Sequence, residues 1–148
     1  MLITARDLLK EKGNFVWRVS PDTTVLEALK LMAEKQIGAL LVLENDRIAG
    51  IVSERDFVRK IADKHVCDIA LPVKDVMTRD VITILPSQNI EDCMQIRTDK
   101  RLRHLPVVEE DHLLGLISIG DVVKAIITSH EFTIEQLSKY IEGGAYNQ

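Results

Sequence analysis

Two short segments of the chain place a serine at the end of a predicted strand and an aspartate three residues later. They are GIVSERD, with Ser53 and Asp56, and GLISIGD, with Ser118 and Asp121. An aspartate carboxylate can accept two hydrogen bonds from a vicinal diol such as a ribose, and a serine hydroxyl and helix N-terminal amides can bind further ribose or phosphate oxygens. The same pattern also starts helices well, with serine as N-cap and aspartate in the first turn. Both interpretations stand at this point.

Two residues inside these segments bear on an anionic ligand. Arg55 can pair with a phosphate through its guanidinium. Gly120, at the matching position of the other segment, has no side chain and leaves more space beside the loop. If these helix starts bind a ligand, they are suited to one that bears a phosphate.

The rest of the sequence offers no catalytic constellation. Cys93 falls on an apolar helix face and is typical of a core residue, and spacing places no basic or histidine partner beside Cys67. The four histidines are scattered without HxH or HExxH, and neither a P-loop nor GxGxxG occurs. We therefore expect no enzyme, no catalytic cofactor and no metal site.

Composition bounds the class of protein that carries these segments. The chain has 148 residues, 46% of them hydrophobic and 28% charged, with a net charge of −4, which are ordinary values for a globular domain. The acidic balance disfavours nucleic acid and anionic membranes as partners, and no apolar run approaches the roughly 18 residues of a membrane span. Two cysteines without a CxxC motif fit a reducing compartment, and the first residues lack an apolar core of signal-peptide length. We expect a soluble protein of the cytoplasm.

The chain contains an internal repeat, in which matching residues lie 65 positions apart. The repeat is carried by matching proline, glycine, serine and aspartate residues, which apolar patterning alone would not align. These pairs are Pro21 and Pro86, Gly50 and Gly115, Ser53 and Ser118, and Asp56 and Asp121. The predicted organisation is a first repeat with a leading helix (1–71), a second repeat (72–130), and a C-terminal helix and tail (131–148).

Each copy has the pattern strand, helix, strand, strand, helix. The β-branched runs 15–19 and 81–85 predict the first strands, and Thr24 with Glu27 predicts a capping box whose weaker counterpart is Asn89 with Asp92. Further helices are predicted over 1–12 and 131–142. A three-stranded sheet would leave one face open, so we expect an α/β (α+β) fold in which the two sheets pack face to face about a pseudo-twofold axis. That packing leaves two related clefts at strand ends, where α/β proteins commonly bind ligands.

The sequence resembles the CBS domain family in VMTRDVITILP (76–86), LRHLPVV (102–108) and GLISIGDVV (115–123). The first half resembles a second such domain, so the whole chain is similar to a tandem pair, or Bateman module, of the small stand-alone type and close to the regulatory module of IMP dehydrogenase. The resemblance implies two non-catalytic βαββα repeats that bind an adenosyl ligand: AMP, ADP or ATP, and in some members NAD(H) or S-adenosylmethionine. It also implies a homodimer of modules and a regulated partner protein.

The resemblance assigns residues to two clefts. Ribose contacts would be Ser53 with Asp56 in one cleft and Ser118 with Asp121 in the other. The adenine wall beside Asp121 would comprise Val16, Trp17, Ile37, Gly38 and Ala39. The wall beside Asp56 would comprise Met77, Val81, Ile82, Leu102, Arg103 and His104. Phosphate candidates are Arg55, Arg103 and His104, which makes the cleft beside Asp56 the better-furnished anion site.

Two functions of different class remain open. In the first, the protein is a sensor whose nucleotide shifts the packing of repeats or modules and so signals to a partner. In the second, it is a constitutive interaction module whose clefts are filled by its own side chains, with Trp17 and Arg97 as the candidates. Either version predicts self-association through the apolar helix faces of residues 125–127 and of Phe57, Val58 and Ile61.

Overall fold

The computed structural model describes residues 2–64, 68–100 and 102–145, so Cys67 lies outside the described residues. Its elements alternate between helices and short strands. The helices are α1 (Ala5–Lys12), α2 (Val25–Lys35), α3 (Glu54–Lys64), α4 (Ile90–Lys100) and α5 (Ile119–Ala145), with one 3₁₀ turn at Val73–Asp75. The strands are β1 (Arg18–Val19), β2 (Ala39–Glu44), β3 (Arg47–Ser53), β4 (His104–Glu109) and β5 (His112–Ser118).

The two β-hairpins reproduce the sequence repeat in their pairing. Strands β2 and β3 are antiparallel with Ala39 opposite Ser53, and β4 and β5 are antiparallel with His104 opposite Ser118. Each hairpin has an irregularity at the same place, after Val42 and after Val107. Both turns also hold two consecutive residues at positive φ, as tight hairpin turns require. The predicted repeat and its mixed α/β class are therefore confirmed.

The first strand of each repeat is shorter than predicted. Only Arg18–Val19 of the run 15–19 pairs with β2, in parallel. In the second repeat the run 81–85 is reduced to one parallel bridge between Ile84 and Val107. Pro106 accounts for part of this loss, because it stands where β2 has Leu41 and has no N–H to donate to a neighbouring strand.

Helix starts follow the predicted caps. Thr24 and Glu27 form a complete capping box at the start of α2. Asn89 accepts a hydrogen bond from the amide of Asp92 at 2.8 Å, which is half of the weaker box predicted for α4. The leading helix α1 has its own capping box, formed by Thr4 with Asp7.

The C-terminal region differs from the prediction of two helices. One continuous helix, α5, runs from Ile119 to Ala145, through residue 131 where a separate trailing helix was predicted to begin. The junction TSHE (128–131) contains no glycine or proline to interrupt it. Thr133 donates its hydroxyl hydrogen to the carbonyl of Ser129 at 3.0 Å across the junction.

Each repeat has its own hydrophobic core, and each core includes the segment that precedes the other repeat. Leu8 and Leu9 of α1 lie in the core of the second repeat with Ile117. Val73 and Val76, which lie before the first strand of the second repeat, are part of the core of the first. Strands β3 and β5 also contact each other. The exchange of these preceding segments, together with the strand contact, holds the repeats together and forms the space between them.

Within the described ranges, no helix has the length and apolar character that crossing a membrane requires.

Candidate functional site

A cleft of about 220 Å³ opens between the repeats at the end of β3. Its wall combines the start of α3 with the turn before β4, so both repeats contribute to it. The lining residues are Gly38, Ile51, Ser53, Glu54, Arg55, Asp56, Arg59, Thr78, Leu102, Arg103 and His104. We call it the Asp56 cleft.

Asp56 is the best-connected side chain of this cleft. Its Oδ2 accepts hydrogen bonds from the amide of Ser53 at 2.7 Å and from the Ser53 hydroxyl at 3.1 Å. Its Oδ1 accepts a longer bond, 3.3 Å, from the Thr78 hydroxyl. Capping therefore uses Oδ2 alone, whereas among the described residues Oδ1 has only a neutral donor at the far limit of hydrogen-bond length. The capping and ligand-binding interpretations are compatible in this geometry.

Three guanidinium groups give the cleft a positive rim on an acidic protein. Arg55 and Arg59 lie on consecutive turns of α3, and Arg103 approaches from the second repeat. All three residues are exposed, so they can turn toward an anion at little cost. Glu54 and Asp56 are the acidic residues of the same wall. An anion such as phosphate can thus meet cationic side chains from both repeats.

His104 lies half-buried at the start of β4, between the two helix starts. Burial lowers the pKa of its imidazole, and the nearby Lys12 and Arg103 lower it further, whereas Asp121 and Glu54 act in the opposite direction. The side chain is therefore neutral near pH 7, and it offers a hydrogen bond to a ligand rather than a full positive charge.

The start of α5 repeats the backbone of α3 with different surroundings. The amide of Glu54 donates to the carbonyl of Gly38 at 3.1 Å, and the amide of Ile119 donates to that of Arg103 at 2.9 Å. Ser118 and Asp121 form a reciprocal pair of cap bonds at 2.8 and 3.2 Å. A small cavity of about 10 Å³, about the space of one water molecule, lies on the side of Ser118 that faces α4, and neither Asp121 nor Lys12 lines it.

Asp121 already has a charged partner from the first helix of the chain. Lys12 Nζ lies 2.6 Å from Asp121 Oδ2 and also donates to the carbonyl of Leu116 at 2.8 Å. Burial alone would raise the pKa of the Asp121 carboxyl, but the bonds from Lys12 and Ser118 outweigh it and lower that pKa. Gly120, at the same helix start, is exposed.

The residues predicted to form the wall beside Asp121 are distributed differently. Trp17 packs on the first core, stacks edge to face with Phe15 at 4.8 Å, and has Lys35 Nζ 4.7 Å from its ring centre. Gly38 lines the Asp56 cleft instead. The other three are packed residues: Val16 and Ala39 are buried, and Ile37 packs against the first core. Short apolar runs of this kind serve a core as readily as an adenine wall, which is why composition could not separate the two.

The predicted wall beside Asp56 is only partly brought together. Leu102, Arg103 and His104 line the cleft, whereas Met77, Val81 and Ile82 are absent from its lining. The Met77 side chain lies against Gly50, where a Cβ atom would come within 2.5 Å of its sulfur. Val81 lines a surface groove near the hairpin turns, and Ile82 is half-buried.

Sequence reasoning missed several residues of this region. Ile51, Glu54, Arg59 and Thr78 line the cleft, and Lys12 was not connected with Asp121. Arg59 could have been found, because it lies four residues after Arg55 and so on the same helix face. The contacts of Thr78 and Lys12 cross between repeats and leave no local signal in the sequence.

Known proteins of the same sequence pattern are numerous. The chain matches the CBS domain family over residues 16–63 and 73–128. It is 37% identical over 151 aligned residues to the mitochondrial CBS domain-containing protein CBSX3 of Arabidopsis thaliana, covering 95% of this chain and 73% of that protein. It is also 37% identical over 111 residues to the inosine-5'-monophosphate dehydrogenase of Thermoplasma acidophilum, but covers only 21% of that enzyme.

Solved structures agree with the fold. The CBS-domain protein ATU1752 of Agrobacterium tumefaciens superposes with a TM-score of 0.80 at 37% identity, over 83% of this chain and 98% of that one. CBSX2, solved in complex with AMP, superposes with a TM-score of 0.71 at 29% identity, over 86% and 98% of the two chains. With two matched repeats, full-length relatives and the same architecture, the chain belongs to the CBS domain family as a tandem pair of CBS domains.

Proposed function

We propose that this protein is a regulatory module, not an enzyme, that binds an adenine nucleotide in the Asp56 cleft. The observation that carries the proposal is the composition of that cleft, which joins the carboxylates of Glu54 and Asp56 to three arginines contributed by both repeats. The AMP complex of the related CBSX2 supports AMP as the first ligand to test. ADP, ATP and NAD(H) contain the same adenosine group and are the next candidates.

Each part of a nucleotide has a counterpart in the cleft. The ribose hydroxyls would bind Asp56 Oδ1 in place of the 3.3 Å bond from Thr78, while Asp56 Oδ2 continues to accept the hydrogen bonds from Ser53 at the helix start. The apolar side chains of Ile51 and Leu102 offer a surface for the base. The phosphate would lie among the guanidinium groups at the rim.

Such a ligand would act by bridging the two repeats. Residues of both line the cleft, so an occupied cleft favours one relative placement of the repeats over others. A partner protein that prefers this placement would then respond to nucleotide concentration, with a coupling free energy of about 1–3 kcal/mol. The regulated partner is proposed to be a separate protein, and the two-cysteine composition favours the cytosol as its compartment.

We further propose that the module forms a homodimer through apolar helix surfaces. Phe57 is buried in the first core, and Ala125 and Ile126 pack on the second, so these three of the predicted contact residues are core residues. The remaining three are exposed, and α5 carries their surface onward beyond the second repeat. The exposed apolar residues Val58, Ile61, Ile127, Ile134, Leu137 and Ile141 each have between 44% and 70% of their surface in solvent.

The stripe on α5 supports a second copy of the same chain as its occupant. Ile127, Ile134 and Ile141 recur every seven residues, and Leu137 lies between the last two, as in the a and d positions of a two-stranded coiled coil. Light scattering at tens of micromolar should give a dimer that Leu137→Glu dissociates. Phe132→Glu, on the opposite side of the same helix and equally exposed, should leave the dimer intact. A monomeric wild type would refute the interface.

A thermal-shift panel with AMP, ADP, ATP, NAD, NADH, S-adenosylmethionine and GMP tests the nucleotide proposal. A ligand present at 100 times its Kd stabilises the protein by about 2.7 kcal/mol, which corresponds to a rise in Tm of roughly 5–10 °C for a domain of this size. We expect AMP or another adenosyl compound to raise the Tm selectively over GMP. An unchanged Tm with every compound would refute the proposal and favour a constitutive interaction module.

A further inference from the structure

Lys12 of α1 contacts the start of α5, much as the neutral residue Thr78 contacts the start of α3. Its ammonium group bonds Asp121 Oδ2 at 2.6 Å and the Leu116 carbonyl at 2.8 Å. At the start of α3 the corresponding contacts come from Thr78, but it bonds the carboxylate oxygen that Ser53 does not use, whereas Lys12 bonds the oxygen that also accepts from the Ser118 amide. The Thr78 hydroxyl donates to Asp56 at 3.3 Å, and its backbone amide donates to the Ile51 carbonyl at 2.8 Å.

The two arrangements differ in charge and in strength. A hydroxyl at 3.3 Å is a weak neutral donor that a ribose hydroxyl can replace with a similar or shorter bond. An ammonium at 2.6 Å makes a charge-assisted bond with a carboxylate, and the side chains of Lys12 and Asp121 are only 38% and 27% exposed. A neutral diol replacing Lys12 would have to displace this charge-assisted bond and turn the ammonium out into solvent.

Helix α1 holds Lys12 in this position through packing of its own. Leu9, three residues earlier, lies so close to Gly115 that a Cβ atom there would come within 2.5 Å of it. Ala5, Leu8 and Leu9 are all part of the second core. The ammonium is thus delivered by a docked helix and not by a free chain end.

We propose that Lys12 is an internal substitute for a ligand at Asp121 and that it limits the module to one nucleotide per chain. This proposal rests on nucleotide binding in the Asp56 cleft. Lys12 is then the residue that decides stoichiometry, since both repeats retain the serine and aspartate needed for a ribose. Removal of its side chain frees the Asp121 carboxylate and the volume next to it.

Isothermal titration with AMP tests this assignment. The wild type should bind one AMP per chain, and Lys12→Ala should bind two. Lys10→Ala, an exposed lysine of the same helix turn, is the matched control and should still bind one. The double variant Lys12→Ala/Asp121→Ala should return to one site, which would place the additional site at Asp121.

The alternative outcomes separate the two proposals. Two sites in the wild type, or one site in both wild type and Lys12→Ala, would overturn the role of Lys12 while leaving nucleotide binding in place. If neither protein binds AMP or any other adenosyl compound, the proposed function fails and the role of Lys12 fails with it. Circular dichroism of each variant verifies that the fold is retained, so a lost site is not confused with unfolding.

Discussion

The ends of β3 and β5 carry the same serine and aspartate on the same backbone, yet they have different surroundings. Beside Ser53 lies a cleft of about 220 Å³ with three arginines on its rim, and Gly120 stands at the start of α5 where α3 has Arg55. Asp56 accepts a long bond from a hydroxyl, whereas Asp121 forms an ion pair with Lys12. A ligand would thus meet a neutral, replaceable partner at the first position and a charged one at the second.

The difference originates before the first strand of each repeat. Each aspartate meets residues that lie before the first strand of the other repeat, and these two leading segments are not alike. One is the helix α1, which carries Lys12, and the other is the irregular stretch around the 3₁₀ turn at Val73–Asp75, which ends near Thr78. Two copies of one motif can therefore differ in function while both form the same helix start.

The sharpest test of this asymmetry replaces each aspartate by alanine. Asp56→Ala should weaken AMP binding by about 10- to 100-fold, because hydrogen bonds to a charged group contribute about 1.5–3 kcal/mol. Asp121→Ala should change AMP affinity by less than about threefold, because Asp121 is bound to Lys12. Isothermal titration measures both affinities.

The two variants control for each other. Each aspartate also accepts a hydrogen bond at its helix start, so each substitution removes a cap worth about 1 kcal/mol. Asp121→Ala removes the ion pair with Lys12 as well, so it should lower the free energy of unfolding at least as much as Asp56→Ala. Equal losses of AMP affinity in the two variants would contradict the asymmetry.

A second comparison replaces the repeated glycines of β3 and β5. At Gly50 a Cβ atom would come within 2.8 Å of the Thr78 carbonyl, which is backbone, and within 2.5 Å of the Met77 sulfur. At Gly115 its close neighbours are the side-chain carbons of Leu9, which can turn away. Gly50→Ala should therefore lower the free energy of unfolding by about 2 kcal/mol, and Gly115→Ala by clearly less. Urea denaturation measures both, and a larger effect at Gly115 would show that α1 is the more rigid neighbour.

Much of the fold was predictable because the repeat is marked by residues with strong local conformational preferences. The glycines, prolines and hairpin turns recur with a constant displacement, and the Thr24 capping box is a local signal that the structure confirms. The predictions that failed depended on longer context. Nothing in TSHE (128–131) marks it as part of one helix, and the run 81–85 reads as a strand until Pro106 opposite is taken into account.

The site was predictable only where its residues are close to one another in the sequence. Asp56 and Arg55 adjoin in sequence, and both line the cleft. Trp17 could not be placed, because an aromatic side chain near a strand packs in a core as readily as on a ligand. The ion pair of Lys12 with Asp121 joins residues that are 109 positions apart, and one sequence carries no signal of such a contact.

Arg59 provides a smaller test of the positive rim. Its replacement by glutamine should weaken AMP binding by about 3- to 10-fold, since one exposed charge-assisted contact with phosphate is removed. Adenosine lacks the phosphate, so its binding should be unchanged. Lys60→Gln, on the same helix but outside the cleft lining, is the matched control. An equal effect of both substitutions would indicate a general effect of net charge.

The smallest expected effect concerns His104 and pH. Burial, followed by the charge of Lys12, lowers the pKa of its imidazole from the ordinary 6.5. Below pH 6.5 the unfolded chain then binds a proton that the folded protein does not yet bind, so the free energy of unfolding falls as pH decreases toward the lowered pKa. His104→Gln should remove this component, so between pH 7.5 and pH 5.5 the free energy of unfolding should fall more for the wild type than for the variant.

Urea denaturation at the two pH values measures that difference. The groups facing His104 are Lys12 and Asp121 at one helix start and Arg103 and Glu54 at the other. The carboxyl pKa of Asp121 is lowered from 3.8, so its own loss of stability lies in more acidic solution and stays outside this window. If the wild type and His104→Gln changed equally between pH 7.5 and 5.5, the imidazole would be as accessible to protons in the folded protein as in the unfolded chain. His104 would then be free to carry a positive charge to a bound phosphate, and the Asp56 cleft would gain a cation that the present geometry does not give it.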